Sequence, residues 1–299
     1  MLARRNRIRY TREDWLVDIV VYIIVGVVFF ITSYPFYYSL VISLNNAQDT
    51  ARGGIYFWPR MWTFASYSSF FGDATWLFGL LVSVARTIVG TVITVMFTMM
   101  VSYGLSDRKL IFRKGYMGLI IFSMYFSGGL IPYYMLLRSI HLLDSFLVYV
   151  IPSALSAFFI FIALSFYDGI PGELRESGML DGASDLVIFI RIILPISLPL
   201  VATIAIFSGV GQWNAWFDSA FFVKNKGLRT LGYLLMETIN QANVPTNAQA
   251  ALQSMAGSKV SPFSIRVTAM MISVIPILCI YPFLQRYFIT GLTIGSVKG

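Results

Sequence analysis

The chain has 299 residues, of which 57% are hydrophobic and 12% charged. Soluble domains carry about 25% charged residues, so too little polar surface is available to cover a water-exposed globule, and the apolar surplus must face lipid. The formal charge of +8 sits mostly in short segments beside apolar runs, a placement that argues against a nucleic-acid partner and for membrane topology.

A helix needs about 20 apolar residues to cross a bilayer core, and backbone in lipid must satisfy its own hydrogen bonds. The expected fold is therefore all-α and integral to the membrane, with about six spanning helices. Residues 1–15 form a basic arm carrying Arg4, Arg5, Arg7, Arg9 and Arg12. The apolar run that follows, 16–44, is longer than the roughly 7–15 residues of a cleavable signal, so it reads as a retained first helix. The next loop carries Arg52 and Arg60. Trp58, Trp62 and Trp76 flank it, and interfacial anchoring is the simplest reading of them.

The second span, 77–105, contains Arg86. Exposing an arginine to lipid near mid-membrane costs roughly 2.5–3.5 kcal/mol. Arg86 therefore faces a cavity or a carboxylate on a partner subunit, or it snorkels, or it closes a structural ion pair. Facing a cavity, it would suit an anionic sugar. Arg108, Lys109, Arg113 and Lys114 follow. The third span, 115–137, carries Tyr125, Ser127 and Gly128-Gly129, where the glycines mark a break or a close helix contact. Arg138 and the sole histidine, His141, lie in a short loop before the fourth span, 145–167. The strongly basic arm and second connection place both termini in the cytoplasm.

The connection 168–191 breaks the basic pattern, because Asp168, Glu173, Glu176, Asp181 and Asp185 outnumber Arg175 and Arg191. It reads as two short helices. Pro171 or Gly172 opens the first, and Asp181-Gly182 ends it, with Gly182 free to take a left-handed backbone. Ser184 or Asp185 caps the second, and Pro195 sits where that helix meets the membrane. The fifth span, 192–217, ends in Trp213, Asn214, Trp216 and Asp218. Aromatic faces and an amide there can bind a sugar or pack against a neighbouring helix. The loop 218–262 contains Asn240, Gln241, Asn243, Asn247 and Gln249, amides that hydrogen-bond hydroxyls without a fixed charge. The sixth span, 263–289, holds the only cysteine, Cys279, which cannot form an internal disulfide. Residues 290–299 form a tail, leaving 16–289 as one membrane domain.

The segment from Glu176 to Pro195 resembles the EAA loop of ABC importer permeases: Glu-Ala-Ala, three residues, Gly, nine residues, Ile-x-Leu-Pro. Glu176, Gly182, Ile192, Leu194 and Pro195 fall in register, and Asp181-Gly182-Ala183 matches a common form. Ser177 and Gly178 replace the two alanines. Trp213-Asn214 and the C-terminal Gly291-Leu292-Thr293 run further resemble the maltose-type, type I carbohydrate permeases, nearest to importers of oligo- and polysaccharide fragments such as alginate. The resemblance implies that Glu173, Glu176, Met179, Asp181, Gly182, Ala183, Ser184, Leu194 and Pro195 couple the chain to a separate ATPase dimer that binds ATP and Mg. It also implies a second homologous permease, an extracytoplasmic solute-binding protein, a carbohydrate cargo and the bacterial inner membrane; a heterodimer is the expectation and a homodimer the alternative. Polar residues in or beside the spans, Arg86, Tyr125, Trp213, Asn214, Trp216 and Asp218, are the candidates for the cargo path; the resemblance implies sugar contacts near the end of the fifth span and sets the amides of 240–249 against the binding protein.

No cofactor is expected in this chain. A phosphate-binding loop needs Gly-x4-Gly-Lys-Ser/Thr, whereas Gly227 and Gly232 are followed by Tyr233. No nucleophile, metal or acid–base set is evident, so the chain reads as a non-enzyme. A non-sugar ABC permease, an ion-coupled secondary transporter and a membrane enzyme are the alternatives. The secondary transporter lacks the expected inverted repeat and membrane carboxylate.

Overall fold

The computed structural model describes residues 12–242 and 260–296, with side chains described for 14–241 and 260–280. In chain order the helices are α1 (Arg12–Ser43), α2 (Ala47–Ala51), α3 (Ala65–Gly72), α4 (Ala74–Ser106), α5 (Arg113–Tyr125), α6 (Leu130–Ser139), α7 (Ala157–Tyr167), α8 (Glu173–Leu180), α9 (Asp185–Ile188), α10 (Leu194–Ile196), α11 (Leu198–Asn214), α12 (Phe217–Phe222), α13 (Leu231–Ala242) and α14 (Pro262–Ser296). A π-turn, Phe189–Ile193, joins α9 to α10 without interruption. Among the described residues the only β feature is an isolated bridge, Asn45–Trp62.

The described residues are almost entirely helical, as an all-α membrane protein requires. Three helices are long and apolar enough to cross a bilayer unaided: α1, α4 and the Pro262–Ile280 part of α14. Two further helix pairs are long and apolar enough only when taken together, each bent at a short break. The expected single span over 115–137 is instead α5 and α6, bent by 120° across a break at 126–129. Gly129 supplies the positive φ of +83° that the turn requires. The expected span over 192–217 is the continuous helix Asp185–Ile196 and then α11, bent by 81°. Pro195 and Pro199 flank that bend, each lacking the N–H a continuing helix needs. The stretch 145–167 yields only the eleven-residue apolar helix α7, preceded by a 3₁₀ turn, Phe146–Tyr149, and Pro152.

The expected loop 218–262 is largely helical up to Ala242. It forms α12, a 3₁₀ turn at Lys226–Leu228, and α13. Leu231 and Leu234 at helical spacing are buried, which gives α13 a packed face, and it lies against α4. Helix α14 continues to Ser296, so the expected tail 290–299 begins in helical backbone.

Two compact units divide the chain. Among the described residues, 12–69 and 260–271 form the first, where the loop after α1 is held by Asn45 and Asp49. The Asn45 amide donates to Asp49 Oδ2 at 3.0 Å, and Arg60 Nε donates to the same oxygen at 3.1 Å. Tyr34 and Tyr37 hydroxyls donate to the backbone oxygens of Tyr56 and Phe57. The second unit, described over 70–242 and 272–296, is organised around α4, against which α7, α11 and α13 pack. Its buried face is a stripe at three- and four-residue spacing: Ser83, Arg86, Gly90, Thr94, Thr98 and Ser102. Small residues at that spacing let helices approach closely where lipid supplies no hydrophobic drive.

Candidate functional site

Two parts of the second unit carry chemistry. The first is the acidic connection. Gly172 precedes α8, and Gly182 ends it with φ +76°. The Ala183 N–H donates to the Gly178 carbonyl and the Gly182 N–H to the Met179 carbonyl, both at 3.0 Å. This pair of bonds is a Schellman motif, which satisfies carbonyls a helix end would otherwise leave orphaned. Ser184 adopts extended backbone before α9, with no side-chain capping bond. Glu173, Glu176, Met179, Asp181, Gly182, Ser184 and Pro195 are exposed, while Ala183 and Leu194 are half-buried. The result is a protruding helical turn that mixes carboxylates with apolar side chains, Leu180 being 88% exposed.

The underside of this turn is fixed to the bundle. Gly178 is buried against α9, where an added Cβ would stand 3.0 Å from Ile188 Cγ1. Ile188 is fully buried in a cluster with Met99, Ala163, Tyr167, Phe189, Ile193, Leu200 and Ile204. The packing that positions α8 thus continues into α4, α7 and α11. Arg175 makes the polar link. One guanidinium nitrogen donates to Asp107 Oδ2 and Asp185 Oδ1, each at 3.0 Å. Asp107 follows the last residue of α4, and the Lys109 backbone N–H, followed by Arg175, holds its carboxyl below the usual carboxylate range. Arg113 Nε donates to the Leu105 carbonyl at 2.7 Å, tying off the same helix end. Sequence reading missed Asp107 and treated Arg175 only as a minority charge. One arginine in an acidic stretch was the available signal.

The second part is the break after α11. The helix stops at Asn214, Ala215 is extended, and α12 begins at Phe217. Arg86 reaches this break from α4 and is 2% exposed. Its Nε donates to Gln212 Oε1 at 2.9 Å, one terminal nitrogen to the Ala215 carbonyl at 3.2 Å, and the other to Asp218. Its guanidinium lies 4.6 Å from the centre of the Tyr149 ring. The carboxylate expected on a second subunit is thus found within the chain. Trp213 is buried and donates to the Ser273 carbonyl at 2.9 Å, a packing role. Asn214 and Trp216 are exposed at the break, and the Asp218 side chain remains 26% exposed. Tyr125, at the end of α5, is exposed and shares no hydrogen bond or ring contact with this group. Asn240 and Gln241 are exposed at the end of α13; Asn243, Asn247 and Gln249 lie outside the described residues. His141 is exposed in its turn. Among the described residues no His/Cys/Asp/Glu group could hold a metal ion.

Along its full length the chain is 33% identical to Protein LplC of Bacillus subtilis (strain 168), with all of both chains aligned. It is also 33% identical over 288 residues to the polygalacturonan/rhamnogalacturonan transport system permease protein YtcP of that organism, covering 96% of this chain and 100% of the relative. A chain in the crystal structure of a bacterial ABC transporter involved in the import of the acidic polysaccharide alginate superposes with a TM-score of 0.85 at 26% identity, covering 93% of this chain and 99% of that one. This chain belongs to the carbohydrate ABC importer permeases. No protein-family model matches it. As a permease of this kind it supplies membrane helices rather than catalysis.

Proposed function

We propose that this permease passes an oligosaccharide released from an acidic polysaccharide inward across a bacterial cytoplasmic membrane by alternating access. The observation that carries the reading is the helix break at Ala215. It opens within an apolar bundle and exposes the Asn214 amide and the Trp216 ring, 38% exposed, side by side. An amide donates to and accepts from hydroxyls, an aromatic face covers a sugar ring, and a helix end leaves carbonyls free to accept. Irregular backbone at membrane depth is tolerated where it lines a cavity. The acidic class of cargo is supported by the polygalacturonan and alginate named for two of the similar proteins.

The protruding α8 turn fits the groove of a separate ATPase, which binds ATP and Mg and works as a dimer beneath this permease and a second, non-identical one. A solute-binding protein delivers cargo at the outer face, and the amides of 240–249 meet it. The arm arginines and Arg108, Lys109, Arg113 and Lys114 place both termini in the cytoplasm by the positive-inside rule. The test is ATP hydrolysis by the reconstituted four-subunit importer in proteoliposomes, with its binding protein loaded with oligogalacturonate. Stimulation supports the reading, and Trp216→Ala should lower uptake while leaving basal hydrolysis intact. Stimulation by peptides or amino acids instead of any oligosaccharide would refute it.

A further inference from the structure

We propose that Arg86 is a positioning residue of the translocation path: it holds the helix break in shape and touches no cargo. The inference rests on the break being the cargo path. Three different acceptors on three stations of the break converge on this one side chain. Gln212 is on the last turn of α11, Ala215 is the extended residue, and Asp218 is in the first turn of α12. Arg86 itself sits about 18 Å along α4. A broken helix in a membrane must have its freed backbone groups satisfied, and the planar guanidinium fork takes the Ala215 carbonyl while also binding the Gln212 and Asp218 side chains on either side of it.

The surroundings support a fixed node rather than a ligand site. Gln212 turns its amide nitrogen away from Arg86 and donates to Ser153 Oγ at 2.7 Å. It crosses α4 at Gly90, where a Cβ would meet its amide nitrogen at 2.7 Å, so only glycine leaves room. Tyr149, against whose ring the guanidinium lies, donates to the Leu228 carbonyl at 2.7 Å. Ser219, next to Asp218, is fully buried and accepts from the Thr230 N–H at 3.1 Å. Gln212 and Tyr149 beside the guanidinium are each tied to a further segment, and at 2% exposure the arginine presents no face to a sugar. Asp218 near the start of α12 also favours that helix dipole. The exposed Asn214 and Trp216 are left to meet cargo, and Arg86 sets where they stand.

The experiment uses the whole importer in proteoliposomes, with Cys279→Ser removing the native thiol. Ser219→Cys reports on the break, and Ser197→Cys, equally buried at the opposite end of α11, reports on the bundle. The rate of modification by N-ethylmaleimide is measured with Arg86, Arg86→Lys and Arg86→Gln. Removing the buried guanidinium frees the half-buried Asp218 and leaves the Gln212 and Ala215 oxygens without their donor, so Arg86→Gln should raise labelling at Ser219→Cys by about tenfold or more. Labelling at Ser197→Cys should stay constant, and Arg86→Lys, keeping charge but not the fork, should fall between. Unchanged labelling at Ser219→Cys overturns the proposal. An equal rise at both positions also overturns it, because the arginine would then support the bundle as a whole. Selective loss of trigalacturonate uptake, with uptake of its methyl ester retained, would make Arg86 a cargo ligand and overturn it too. If no carbohydrate stimulates the unsubstituted importer, the functional reading fails while the labelling comparison still tests Arg86.

Discussion

Replacing Gly178 probes the joint between α8 and α9. A Cβ at this position would stand 3.0 Å from Ile188 Cγ1, 3.2 Å from Ile192 Cδ1 and 3.3 Å from Ile188 Cδ1. Alanine gains about 1 kcal/mol of helix propensity over glycine, and the contacts it makes fall on side-chain ends that can shift by tenths of an ångström. Gly178→Ala is therefore expected to be close to neutral. Gly178→Leu adds three more carbons against Ile188, which is fully buried and held by Phe189 and Ile193. Overpacking of this kind costs about 1–3 kcal/mol, and the strain is relieved only by prising α8 from α9. Thermal unfolding of the assembled importer, together with sugar taken up per ATP hydrolysed, reads both effects. Gly178→Leu should lower stability and waste ATP, and Ile188→Ala in the same chain should recover part of the loss, as contacting residues do not add independently. Wild-type stability and coupling in Gly178→Leu, or strict additivity in the double variant, would refute the packing argument.

Asp107→Asn removes one anchor of Arg175. Because the pair is partly exposed, the stability cost is about 0–1 kcal/mol, yet sugar imported per ATP should fall; an unchanged ratio counts against the link. Gly182→Val forces a branched side chain to φ +76°, costing about 1–2 kcal/mol, with Gly182→Asn milder; equal melting temperatures for the two would contradict this. Tyr37→Phe deletes the bond to the Phe57 carbonyl, worth about 0.5–1.5 kcal/mol, and should speed proteolysis of the 45–64 loop without affecting the second unit. The Asn45 amide, and after it Arg60, hold Asp49 below its usual value of 3.8. A depressed carboxylate stabilises above its unfolded value and loses that contribution only as pH falls through the lowered one. Pepsin digestion should therefore find the loop intact at pH 5 and loosening below 3.8; loosening already at pH 5 would refute the assignment.

The acidic connection was legible because its signals are local. Gly182 at a helix end, Pro195 at a membrane entry and carboxylates against a basic bias are each readable within 20 residues or so, and the helix–turn–helix follows. The bends were harder. Gly128-Gly129 announced the α5–α6 break, whereas the α11–α12 break at Ala215 has no glycine or proline and depends on Arg86, more than 100 residues away. The role of Gln212 was invisible for the same reason: its partners on α4 and at Ser153 meet only through tertiary packing. Helix α13 was taken for loop because it follows short polar turns, although Leu231 and Leu234 already marked its buried side.

Helix α4 is one uninterrupted helix of 33 residues, while the α5–α6 pair and the Asp185–Ile196 and α11 pair are jointed by 120° and 81°. Arg86 and Asp107 lie 21 residues apart along it, about 32 Å at 1.5 Å per residue. An unbroken helix is stiffer than one interrupted by a joint. A displacement delivered through Arg175 would thus be carried along α4 towards the node that grips Ala215, with the bent pairs yielding first.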